Sequence, residues 1–210
     1  MPSETRNGIL CLETIWFDEV ESPSTRHLLE LLERLSRVPF VYRDVSTYEE
    51  FDFHLGRWVG RNTYKKDYVL GDYGILYLGF HGSPGEISLR DDLTHRGDDD
   101  EVDLEGIGDC LLNDAAYDCR GAVVHFGACS VLRSHARVEE FKERIGAACV
   151  SGYTRMVDST LSWAFELMYL DQLSAKNADN PDTLRTLSRR LCDKPEYAGL
   201  AEHLGFRMIV

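Results

Sequence analysis

The 210-residue sequence predicts an α/β fold: a mostly parallel central sheet of about six strands with helices on both faces. Two observations carry this. The strand-like runs, such as ILYLGF (75–80) and AVVHF (122–126), are continuously apolar, as strands buried on both faces must be. Segments with the 3.6-residue period of amphipathic helices lie between them. A third observation bears on function. Two of these runs stop abruptly in small residues, one at His81-Gly-Ser-Pro-Gly and one at Ala128-Cys129-Ser130.

The elements follow in order. NGILCLETIW (7–16) reads as a first strand. From Pro23 to Arg37, Leu28, Leu29, Leu31, Leu32 and Leu35 form a helical apolar face behind a Ser-Pro-Ser start suited to capping. PFVYRDVS (39–46) is a second strand, and Tyr48 to Val59 a second helix with Phe51, Leu55 and Val59 in step. Tyr73 to Phe80 is the third strand. The rhythm then breaks into a polar hairpin or flap at about 86–104, whose GDDDE tip (97–101) reads as solvated loop. A short helix at 104–113, a strand at 122–128, a polar helix at 133–144 and a strand at 147–154 follow. Helices at 159–173 and 181–191 and an edge strand at 204–210 complete the chain. No linker or internal repeat divides it, so one domain over 1–210 is expected.

Composition narrows the function classes. A formal charge of −13 disfavours nucleic acid and anionic membranes, which are gripped by clustered Lys and Arg. The same balance suits basic substrates, and it is also ordinary for soluble proteins. No window has the length of a membrane span, and the start lacks the pattern of a secretory signal. The six cysteines have neither zinc-ligand spacing nor a CxxC pair, so neither metal nor cofactor is called for, and a reducing, cytoplasmic location is the default. The glycines around His81 fit neither phosphate-loop pattern, and the segment after them reads as strand rather than helix.

In a parallel sheet the functional site lies at the C-terminal ends of the strands. His81 and Cys129 both fall there. A thiol with a reference pKa of about 8.5 needs a base, and an imidazole supplies one and can then protonate the leaving group. Small residues after each strand free the amides of Gly82 and Cys129 to act as an oxyanion hole. His125 is nearer in sequence, but four strand residues span roughly 13 Å, too far for proton transfer, so it reads as a packed or hydrogen-bonded strand histidine. No GxSxG elbow is present.

LYLGFHG and VVHFGAC resemble the two strand ends of the caspase-like cysteine peptidases, a group spanning caspases, metacaspases, separase, gingipains, legumain and the bacterial CHAT proteases. Cys129 follows His81 by 48 positions, against roughly 50 in caspases. VDLEGIGDCL before the cysteine strand and SGYTRMVDSTLSWAFEL after it are most similar to the CHAT branch. The resemblance covers about 9–173. It implies a three-layer caspase-like sandwich and a cysteine endopeptidase with a His81–Cys129 dyad, acting on protein or peptide substrates. It further implies a regulatory or defence role in bacteria, with release by a signalling partner protein or by another protease. Gly127 stands where caspases carry glutamine, and Ser130-Val131 replace their Arg-Gly, so a preference for aspartate does not carry over. The first specificity pocket of this fold is lined from the ends of the first and fifth strands, which here bear Glu13, Asp18 and Asp158. These carboxylates would favour Lys or Arg before the scissile bond; alternatively, Asp158 caps the helix that follows it. The last strand leaves an edge through which the chain could dimerise. Two rival readings are a catalytically silent caspase-like scaffold or adaptor and a nucleotide-binding or flavodoxin-like sensor.

Overall fold

The computed structural model describes residues 7–14, 24–61, 72–89, 101–113, 116–117, 119–176 and 180–210. A six-stranded sheet runs through it. Its members are β1 (Ile9–Glu13), β2 (Phe40–Asp44), β3 (Ile75–Gly79), β9 (Val123–Phe126), β10 (Cys149–Tyr153) and β11 (Phe206–Ile209). The spatial order is β11-β10-β9-β3-β1-β2, and every pairing is parallel except that of β10 with β11. The pairings Leu78 with Phe126 and Phe126 with Gly152 bring the C-terminal ends of β3, β9 and β10 side by side.

Side chains alternate between two buried layers, the period-2 consequence of a sheet covered on both faces. Leu10, Leu12, Leu76, Leu78, Val124, Phe126 and Val150 enter one layer. There they meet Phe51, Leu55 and Trp58 of α2 (Tyr48–Trp58), Ile107 of α3 (Leu104–Cys110), and Val138 and Phe141 of α4 (His135–Ile145). Ile9, Cys11, Ile75, Tyr77, Val123, Cys149 and Tyr153 enter the other. That layer is closed by α1 (Thr25–Ser36), α5 (Ser159–Ser174), α6 (Pro181–Asp193) and α7 (Pro195–Leu204). The result is the expected three-layer arrangement.

The polar segment after β3 forms a small antiparallel sheet of β4 (His81–Ser83), β5 (Glu86–Ser88) and β6 (Glu101–Asp103). Gly85, at φ +86°, closes the β4–β5 turn. Ile87 and Val102 anchor this sheet in the core, and the opposite face carries His81, Ser88 and Glu101 in one cross-strand row. Residues 90–100, most of the expected flap, lie outside the described residues. Two expectations differ from the structure. The helix at 104–113 ends at Cys110, and Leu112–Asn113 instead pairs as β7 with β8 (Ala116–Tyr117). Helix α7 is additional to the expected elements; Pro195 at its first turn and the left-handed Gly205 after its end are ordinary boundary residues. No helix among the described residues is long and apolar enough to cross a membrane.

Candidate active site

Parallel pairing of β3 with β9 sets the chain emerging from one beside the chain emerging from the other. The Gly127 amide extends the ladder by donating to the Leu78 carbonyl at 2.9 Å. His81 opens β4 and is exposed, while Cys129 is half-buried two residues beyond Gly127. The next residue after His81 fixes how near the two ends are. A Cβ on Gly82 would lie 2.5 Å from the Cys129 carbonyl oxygen and 3.0 Å from the Ala128 Cβ. Only glycine lets the strands approach this closely.

The local backbone around Cys129 is held from two sides. Ser130 takes the left-handed conformation, φ 62°, which is uncommon for a residue with a Cβ. Its amide donates to the Arg155 carbonyl at 3.0 Å. The Val157 amide, from the same loop after β10, donates to Cys129 Sγ at 3.4 Å. This contact ties the sulfur to the loop after β10. Partial burial lowers the His81 pKa below its ordinary 6.5, so the imidazole is neutral at pH 7 and can accept the thiol proton. The other described cysteines differ in setting. Burial pushes the Cys110 thiol up to about 11 and the Cys149 thiol to about 12, and raises those of Cys11 and Cys192.

The carboxylates expected in the specificity pocket have distinct settings. Glu13 is 7% exposed and its carboxylate faces the start of α1. One oxygen accepts from the Thr25 amide at 2.9 Å and hydroxyl at 2.7 Å, and the other from Ser24 Oγ at 2.7 Å. Asp158 is exposed and caps α5, with Oδ1 accepting from the Leu161 amide at 3.0 Å. Asp18 lies outside the described residues. No group of three His, Cys, Asp or Glu side chains among the described residues is placed to hold a metal ion.

Sequence reasoning missed a buried polar cluster behind β9. His125 is hydrogen-bonded, as its strand position suggested. Its Nδ1 lies 3.0 Å from Ser151 Oγ and its Nε2 3.3 Å from Glu166 Oε1. This Ser–His–Glu chain has the residue types of a hydrolase triad but joins them through the opposite ring nitrogens, Nδ1 to the serine and Nε2 to the carboxylate. It is sealed: His125 and Ser151 are 0% exposed and Glu166 is 1% exposed, so no substrate reaches the serine. The only sequence signal was a glutamate inside an apolar helix, which is indistinguishable from a surface residue until the packing is known.

The sheet order, the helical layers and the paired strand ends define a caspase-like α/β fold. The structure is similar over 98% of this chain and 86% of the other to caspase-1 from Spodoptera frugiperda, with a TM-score of 0.53 and 10% sequence identity. That likeness establishes the fold. The chain belongs to the family described as "Family of unknown function (DUF6642)", whose model matches residues 6–209. No curated protein matches it.

Proposed function

We propose that the protein is a cysteine endopeptidase using Cys129 as nucleophile and His81 as general acid–base. The observation that carries this reading is the convergence of the two strand ends, with Gly82 pressed against the Cys129 carbonyl. His81 takes the thiol proton, Cys129 Sγ attacks the substrate carbonyl, and His81 returns the proton to the leaving amine as the C–N bond breaks. Water, deprotonated by the same imidazole, then hydrolyses the thioester and releases the acid and free thiol. The amides of Gly82 and Cys129 are the candidate oxyanion donors. The two-residue turn of the β4–β5 hairpin places Gly82 in a non-bonded cross-strand pair with Ile87, which directs its N–H away from β5.

The substrate is a protein or peptide segment. For cleavage after Lys or Arg, Asp158 is the better described candidate, because its carboxylate is exposed whereas Glu13 already accepts three bonds. The resemblance in the sequence extends the reading to a bacterial regulatory or defence effector switched on by a partner protein. The test is a mixed peptide library offered to wild type, Cys129→Ala and His81→Ala. Cleavage by wild type that both substitutions abolish is the expected result, with Lys or Arg preceding the cuts. A Cys129 that neither cleaves nor alkylates faster than the exposed Cys192 would favour the silent scaffold.

A further inference from the structure

We propose that Glu166 is a positioning residue for Cys129, because one buried carboxylate ties together the three strands that carry the site; the proposal rests on the peptidase reading. Glu166 projects from α5 into the layer beneath the sheet. Its Oε2 accepts from the Tyr77 hydroxyl of β3 at 2.8 Å. Its Oε1 accepts from the Tyr153 hydroxyl of β10 at 2.8 Å and faces His125 Nε2 of β9 at 3.3 Å. Beyond His125, Ser151 Oγ lies 2.8 Å from the Tyr169 hydroxyl.

One polarity satisfies every member. Tyr169 donates to Ser151, Ser151 donates to His125 Nδ1, and His125 Nε2–H donates to Glu166. The Glu166 carboxyl group then faces three donors, from Tyr77, Tyr153 and His125, which is what makes its burial tolerable. Burial, reinforced by the Glu166 charge, holds the Tyr77 and Tyr153 phenols far above their ordinary pKa, so both remain donors.

Two of the donors bear directly on the Cys129 turn. The Tyr77 hydroxyl lies against the Gly127 backbone, where no Cβ would fit, two residues before the nucleophile. Tyr153 is the last residue of β10, and the loop it launches supplies the Arg155 carbonyl to Ser130 and the Val157 amide to Cys129 Sγ. A displaced Tyr77 therefore moves the chain entering the turn, and a displaced Tyr153 moves the loop that holds the turn and its sulfur. Glutamine at 166 would turn an amide N–H₂ toward a set of donors and force one of them away.

The test measures iodoacetamide alkylation of Cys129 by mass spectrometry across pH, with melting temperature, in wild type, Glu166→Gln, Tyr153→Phe and Trp58→Phe. The last is a control that removes a buried donor, Trp58 Nε1 to the Tyr73 carbonyl, far from the cluster. Expected for Glu166→Gln is roughly tenfold slower alkylation at pH 7, because the turn and the Val157 amide no longer hold the sulfur in place. Tyr153→Phe should act in the same direction by a few fold, and Trp58→Phe should change the rate less than twofold. Wild-type rates in both cluster variants would overturn the proposal, as would equal slowing in Trp58→Phe, which would mark a general loss of stability. If Glu166→Gln fails to fold, Tyr153→Phe decides. A wild-type Cys129 no faster than Cys192 would instead overturn the peptidase reading itself.

Discussion

Substituting Gly82 by alanine tests the closeness of the two strand ends directly. The new Cβ would sit 2.5 Å from the Cys129 carbonyl oxygen, 2.9 Å from Val131 Cγ2 and 3.0 Å from the Ala128 Cβ. Ordinary contact begins at 3.4 Å, so the Cys129 backbone must retreat by about 0.9 Å. Gly82 has no positive φ, so the cost is steric rather than conformational. Overpacking of this kind costs about 1–3 kcal/mol. In a chain of this size a loss of about 2 kcal/mol lowers the melting temperature by roughly 4–8 °C. On the proposed peptidase reading the effect on chemistry is larger, since a misplacement near 1 Å costs on the order of a hundredfold in rate. Gly199 supplies the comparison. It lies exposed inside α7 with nothing within 4 Å of its prospective Cβ, so Gly199→Ala should stabilise by about 0.5–1 kcal/mol. Melting curves read the stability, and peptide cleavage or Cys129 alkylation reads the site. A Gly82→Ala protein with wild-type cleavage and wild-type melting would refute the packing on which the dyad rests.

Two further predictions concern stability. Ser24→Ala removes the cap of α1 and one donor to Glu13, and should cost about 1–2 kcal/mol by urea denaturation while leaving Cys129 alkylation unchanged; a melting curve identical to wild type would count against the buried Glu13 cluster. Burial holds the imidazoles of His81 and His54 below 6.5 in the folded chain, His54 further lowered by Arg43 and Arg57. The unfolded chain therefore binds protons more readily, so their contribution to stability is complete above pH 6.5 and is lost as pH falls through the folded values. Denaturation at pH 7.5 and 5.5 should show this decline, and His54→Gln/His81→Gln should flatten it; an unchanged slope would refute the assignment.

The parts legible in the sequence share a physical cause. β3, β9 and β10 are buried on both faces, so their continuous apolar runs announce them, and parallel pairing then brings His81 and Cys129 to one end. Helix α7 is not legible in the sequence because its interior Gly199 weakens the helical pattern and its apolar face is short. The role of Glu13 was not legible, since its partners Ser24 and Thr25 meet it only once α1 docks on the sheet. Glu166 was hidden for the same reason. Its partners at 77, 125 and 153 are brought together by the order of the strands, which no local pattern encodes.

The antiparallel course of β11 has a practical corollary. Phe206 begins beside Tyr153, near the site, but Ile209 pairs with Val150, where β10 has only just begun. Asn7 leads into β1 at that same pole and bonds to the Ser174 carbonyl at the far end of α5. Asn7 and Val210 are therefore held about one strand length, roughly 16 Å, behind the Cys129 end of the sheet. A probe attached at Asn7 or Val210 would therefore report on the pole of the sheet opposite the thiol.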